Sequence, residues 1–272
     1  MSYLILAHLD DETALLCAAM LRRMHGQDAV DVLSPEALAM APRWIHTLTA
    51  APQLTSPVGL QVNTEIALAS GRLLTDEGIK VVFNRLRWAD PPHFASAAAI
   101  DRDYASAEMS ALWVSWLAGL QDQGIPVINP PAHGGLQPSS NRLEWLKFAA
   151  EAGLPVVGVH VGGDGNSTGN GSGSGLSILI AGEQILPFVS NSVGDASEFQ
   201  SVLKALEGKI TALQKCTGCR LLELRIVPAT GTADGNLVDD PIWRVAAVNP
   251  FPVVRDRAGI EAIVMMLEGA GR

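Results

Sequence analysis

The N-terminal stretch SYLILAHLDDETALLCAAMLRRMHGQDAVDVL, Ser2 to Leu33, decides how the chain begins. Tyr3 to Ala7 is an apolar run. Glu12 to His25 then repeats apolar residues at helical spacing (Leu15, Cys17, Ala18, Leu21, Met24), and Gly26 stands where a helix stop is expected. Ala29 to Leu33 is a second apolar run. Strand, helix and strand within about 30 residues make a βαβ unit, the opening of an open α/β sheet.

Working outward, residues 34–75 are mixed, with Trp44–Leu48 and Thr64–Ala69 as strands, and Lys80–Leu86 is a strand. Asp101 caps a long helix to about Leu120. Its apolar residues (Tyr104, Met109, Leu112, Trp113, Trp116, Leu117) cover more than one face, which predicts extensive burial. Strands follow at Ile125–Asn129 and Val156–Val161, around a helix from Asn141 to Ala152 that Gly153 stops. Residues 162–175, GGDGNSTGNGSGSG, hold no apolar side chain and have the composition of a flexible linker. Beyond it the pattern predicts strands at Leu176–Ala181, Arg220–Val227 and Trp243–Val248, with helices at Ala196–Lys215 and Ile260–Glu268.

The composition narrows the function classes. Hydrophobic residues are 48% and charged residues 17% of 272, as in a globular protein with a sizeable core. The formal charge of -9 disfavours phosphate backbones and anionic lipid, so neither nucleic acid nor membrane is an expected partner. Cys17, Cys216 and Cys219 cannot form a disulfide framework and suit a reducing compartment. The first apolar run lacks a basic n-region, and no apolar stretch is long enough to span a bilayer. The expected location is the cytoplasm.

Three further segments carry the strongest resemblance. Pro126-Val127-Ile128-Asn129-Pro130, Ser140-Asn141-Arg142-Leu143 and Ala149-Ala150-Glu151-Ala152-Gly153-Leu154-Pro155 resemble, in order, a strand, a basic loop and a helix of the ATP-grasp ligases. That superfamily holds glutathione synthetase-like and glutamate-adding enzymes. Trp243 to Pro250 resembles its metal-binding strand, usually E-[VI]-N. The resemblance implies a pre-ATP-grasp-like α/β domain over residues 1–122, then a reduced ATP-grasp-like α+β domain over residues 123–272. It implies ATP and Mg²⁺ as cofactors, with Arg142 as the phosphate-binding cation and Glu223 and Asn249 as metal ligands. Arg85 and Arg87, at the end of a strand in the first domain, are the candidate substrate-binding forks.

The chain also departs from that pattern. Arg142 falls where the first phosphate lysine belongs, and Ala247 stands where the metal-binding Glu should be. From Phe148 to Leu203 there is no Lys or Arg, although the phosphate-covering lobe belongs there. These features imply a degenerate ligase relative acting as a binding or partner subunit, beside a modifying enzyme or on a small acidic substrate. The alternative is an active carboxylate–amine ligase with an atypical phosphate site.

A third alternative rests on Ala7-His8-Leu9-Asp10-Asp11-Glu12, which resembles the HPDDE motif of zinc-dependent deacetylases. It would place Zn²⁺ on His8 and Asp11. The competing reading is that the carboxylates complement the N-terminus of the first helix. Asp164 to Gly175 mimics half of a calcium loop but ends on Gly where a bidentate Glu is needed. Cys216-Thr217-Gly218-Cys219 sits where a helix exits toward a strand, which suits packing; a redox or metal role is the alternative.

Overall fold

The computed structural model describes residues 2–51, 59–89, 94–132, 135–138, 141–158, 175–188, 196–228 and 243–271. Residues 162–174 of the Gly/Ser segment, and with them most of the calcium-loop mimic, lie outside the described residues. The chain divides into two compact units, Met1–Ser139 with Val253–Arg272, and Ser140–Pro252. This differs from a boundary at residue 122 because the strand near Val127 pairs into the first sheet.

In the first unit, β1 (Ser2–Leu6), α1 (Glu12–His25) and β2 (Val30–Leu33) form the expected βαβ opening. β1 lies parallel to β2 on one side and to β6 (Ile79–Asn84) on the other, and β7 (Val127–Ile128) continues beyond β6. The order β2-β1-β6-β7 places the topological switch point between β1 and β6. Every residue of β1 is buried, which explains why its sequence is a continuous apolar run rather than an alternating one. Asp11 caps α1 by accepting from the Ala14 N–H at 3.0 Å.

After α2 (Pro35–Ala39) come the strands of a three-stranded antiparallel sheet: β3 (Arg43–Ala51), β4 (Gly59–Ala67) and β5 (Leu73–Thr75). The strands are longer than the patterning predicts. Ile45 and Leu48 of β3 are solvent-exposed, so apolar content is a weak guide there.

α3 (Ala99–Asp122) starts two residues before the predicted cap; Asp101 lies in its first turn, beside the positive end of the helix. Only its second half is buried. Trp113, Trp116, Leu117 and Leu120 enter the core, whereas Tyr104 stands exposed. Trp113 and Trp116 meet Trp44 of β3 edge-on, with centroids 5.3 and 6.0 Å apart. A Cβ on Gly119 would lie 2.5 Å from Val62, so glycine is what lets α3 approach β4. α6 (Arg257–Ala270) closes this unit beside α1, and the Val254 N–H donates to Thr13 Oγ1 at 2.8 Å.

The second unit is a four-stranded antiparallel sheet, order β11-β10-β8-β9, with α4 (Arg142–Glu151) and α5 (Ala196–Thr217). Its strands are β8 (Leu176–Ala181), β9 (Gln184–Phe188), β10 (Leu221–Pro228) and β11 (Trp243–Asn249). Ile178, Ile180, Leu222, Leu224 and Ile226 pack with Trp145 and Leu146 of α4 and Leu206, Ile210 and Leu213 of α5. β9, absent from the sequence expectation, returns through a two-residue turn in which Gly182 takes φ 63°. At Val156 the predicted strand is a single parallel bridge to Val245; the rest of the segment runs into residues 159–161, outside the described part.

Candidate functional site

The first cluster lies at the carboxyl ends of β1 and β6, the switch point where open α/β sheets place ligands. The loop after β1 brings His8 and Asp11; the loop after β6 brings Arg85, Arg87 and Trp88. Asp11 and Arg85, both within 7% of complete burial, form a two-pronged ion pair: Nε donates to Oδ2 at 2.8 Å and Nη2 to Oδ1 at 3.1 Å. Arg85 therefore fastens β6 to the cap of α1 instead of facing solvent.

Arg87 is exposed, and its backbone N–H donates to His8 Nε2 at 3.3 Å. An accepting Nε2 belongs to a neutral imidazole with its proton on Nδ1. Burial agrees, pushing the His8 pKa below its ordinary value against the raising effects of Glu36 and Asp10. The His8 ring lies against the half-exposed Trp88 indole, centroids 4.2 Å apart at 32°. Asn84, fully buried, donates from Nδ2 to the carbonyls of Asn129 and Leu136 and so joins the end of β6 to the chain beyond β7.

The zinc alternative finds no ligand set here. Asp11 spends both oxygens on Arg85 and the α1 cap, and no group of three His, Cys, Asp or Glu among the described residues is arranged to hold a metal.

The second cluster lies on β10 and β11. Glu223 and Asn249 stand directly opposite in the antiparallel register, and Asn249 Nδ2 donates to Glu223 Oε2 at 3.1 Å. Asn249 Oδ1 accepts from the Phe251 N–H at 2.9 Å. Arg142, the first residue of α4, donates from Nη2 to the Ala246 carbonyl of β11 at 3.2 Å. All three expected residues thus converge on one strand pair. Two residues along, on the same face of the pair, Arg225 stands opposite Ala247 in register, so no carboxylate occupies the position where a second one is needed.

The fit to Mg²⁺ is poor. One carboxylate and one amide, bonded to each other and with Ala247 as the next same-face residue of β11, do not make the oxygen cage that the ion and a triphosphate share.

The cysteines of the CTGC segment are free; Cys216 is exposed and Cys219 buried. Burial raises both thiol pKa values, Cys219 to about 12, the opposite of a reactive thiolate.

Trp88 and Arg225 were not singled out by sequence reasoning. Trp88 directly follows Arg87 in a strand-end loop, which was the available signal. Arg225 is two residues from Glu223, but its opposition to Ala247 depends on strand register.

The chain has an ATP-grasp-like fold. It resembles the macrocyclase MdnC of Microcystis aeruginosa MRC, solved with its precursor peptide MdnA, over 99% of this chain and 100% of that one, with TM-score 0.65 and 14% identity. The ATP-grasp ligase PsnB, complexed with a minimal precursor, matches over 100% and 99% with TM-score 0.60 and 15% identity. A RiPP-associated ATP-grasp ligase of Chryseobacterium gregarium, in complex with ADP and leader and core peptides, matches over 99% and 97% with TM-score 0.61 and 11% identity. No family model matches the sequence, and no curated protein matches it.

Proposed function

We propose that this chain is a reduced ATP-grasp-like protein that holds a peptide as a binding or partner subunit and does not itself bind Mg²⁺–ATP in the ligases' manner. The observation carrying this reading is the β10–β11 pair, where Asn249 donates to Glu223 and Ala247 supplies no second carboxylate. The stretch from Phe148 to Leu203 without Lys or Arg supports it, since a triphosphate needs cations from that part of the chain. The peptide component rests on the three neighbours, each described with a precursor or core peptide. Arg87 beside His8 and Trp88 is the proposed contact for an acidic group of that peptide, and the cytoplasm is the proposed location.

Each missing charge-assisted contact to phosphate forfeits about 1.5–3 kcal/mol, so losing two turns a micromolar Kd into about millimolar or weaker. Calorimetry of the purified chain with Mg²⁺–ATP should therefore show no binding at ordinary concentrations. Ala247→Glu should not restore it, because the lack of covering cations between Phe148 and Leu203 remains. A low-micromolar Kd for the unmodified chain would overturn the reading.

The end-to-end match to ligases supports a second reading, an active carboxylate–amine ligase with an atypical phosphate site. ADP release that depends on an added acidic peptide and an amine would establish it.

A further inference from the structure

Between α1 and the start of α6, within the first unit, lies a groove of about 330 Å³. Leu16, Ala19, Met20 and Arg23 of α1 line one side, at the i, i+3, i+4, i+7 spacing of a single helical stripe. Arg255, Arg257 and Ile260 line the other. The stripe is not the core face of α1, which is Thr13, Ala14, Cys17, Ala18 and Leu21. The helix therefore carries a second apolar face, with Leu16 41% exposed and Met20 half-buried.

The charge of the lining runs against that of the chain. A protein of net charge -9 presents three arginines on the wall of this groove, against two carboxylates, Glu12 and Glu261, that pair with them. Arg255 pairs with Glu12, and Arg257 with Glu261 at 2.6 Å, but both pairs are solvent-exposed and such pairs hold their partners weakly. A guanidinium has five N–H donors, so an incoming carboxylate can share it without expelling the resident one. Arg23 makes no ion pair among the described residues.

We infer that this groove is a docking site for an acidic peptide segment that carries a bulky apolar side chain. The apolar side chain fills the space beside Leu16, Met20 and Ile260. Its flanking carboxylates take Arg23, Arg255 and Arg257. An uncharged apolar partner would cover Arg23 without giving it a counter-ion, and a basic one would be repelled by it. The lining shares no residue with either cluster described above, and the inference does not depend on whether the chain binds ATP.

The test uses the full-length protein and a fluorescein-labelled peptide, Glu-Leu-Glu-Glu-Leu-Glu, read by anisotropy at low salt. Saturable binding should appear, weaken about tenfold in Arg23→Glu, and weaken as the salt concentration is raised. Met20→Ala should weaken it as well, with circular dichroism unchanged, and the same peptide with Lys for Glu should not bind. Absence of binding, equal binding of the two peptides, or indifference to both substitutions would overturn the inference. So would concentration-dependent self-association that Arg23→Glu abolishes, since the occupant would then be a second copy of this chain.

Discussion

Asp11 does two jobs with one carboxylate: it caps α1 through the Ala14 N–H and neutralises the Arg85 fork at the end of β6. Both side chains are out of water, so removing one partner leaves a buried charge without its counter-ion. Asp11→Ala should cost about 3–5 kcal/mol in urea denaturation, with the lost cap included in that range. A joint replacement by apolar residues, Asp11→Leu with Arg85→Met, should recover much of it; a single mutant within about 1 kcal/mol of wild type would show the pair to be dispensable. His8 supplies a pH dependence. Burial lowers its pKa from the ordinary 6.5, so the unfolded chain binds more protons once the pH falls below that value. Its contribution is fully present above about pH 6.5 and is lost as the pH drops from there toward the lowered value. Tm should therefore fall between about pH 7.5 and 5.5, and His8→Gln should flatten the fall, leaving the share of His46, which burial shifts the same way. Both Asp11 and Arg85 are legible in the sequence as chemistry-bearing residues at strand ends. Their pairing is not, because the partners are 74 residues apart and meet only when β1 and β6 lie side by side.

At the scale of the elements, α3 shows how one position can reverse a general preference. Alanine in a helix is ordinarily better than glycine by up to about 1 kcal/mol. A Cβ at position 119 would meet Val62 of β4 at 2.5 Å. Gly119→Ala is thus expected to destabilise, by about 1–3 kcal/mol, and adding Val62→Ala should return part of the loss. Thermal melts of the two single mutants and the double mutant measure it; a stabilised Gly119→Ala would mean the helix shifts freely. The helices and the buried parallel strands were legible because continuous apolar runs and 3.6-residue spacing survive burial. β3 and β4 were legible only in part, since Ile45 and Leu48 point to solvent and blur the alternation. β9 was missed although Gly182 marks its turn, because Gln184 to Phe188 contains a proline and little alternation.

For the whole molecule, charge is the dominant property. At -9 the chain should leave the mobility of a short DNA duplex unchanged in a gel-shift assay at about 50 mM salt, despite the local arginines between α1 and α6. A discrete shifted band would show that those arginines outweigh the net field. The amino-acid order alone determined the α/β opening, the ATP-grasp resemblance, the lack of a disulfide framework and the Ala at position 247, because each is a matter of local spacing or residue type. Only the tertiary structure decided that Arg85 is spent on Asp11, that the strand at Val127 belongs with the first sheet, and that Glu223 stands opposite Asn249. The physical reason is common to all three: strand pairing and register bring together residues far apart in sequence, and one step of register changes which side chain each meets.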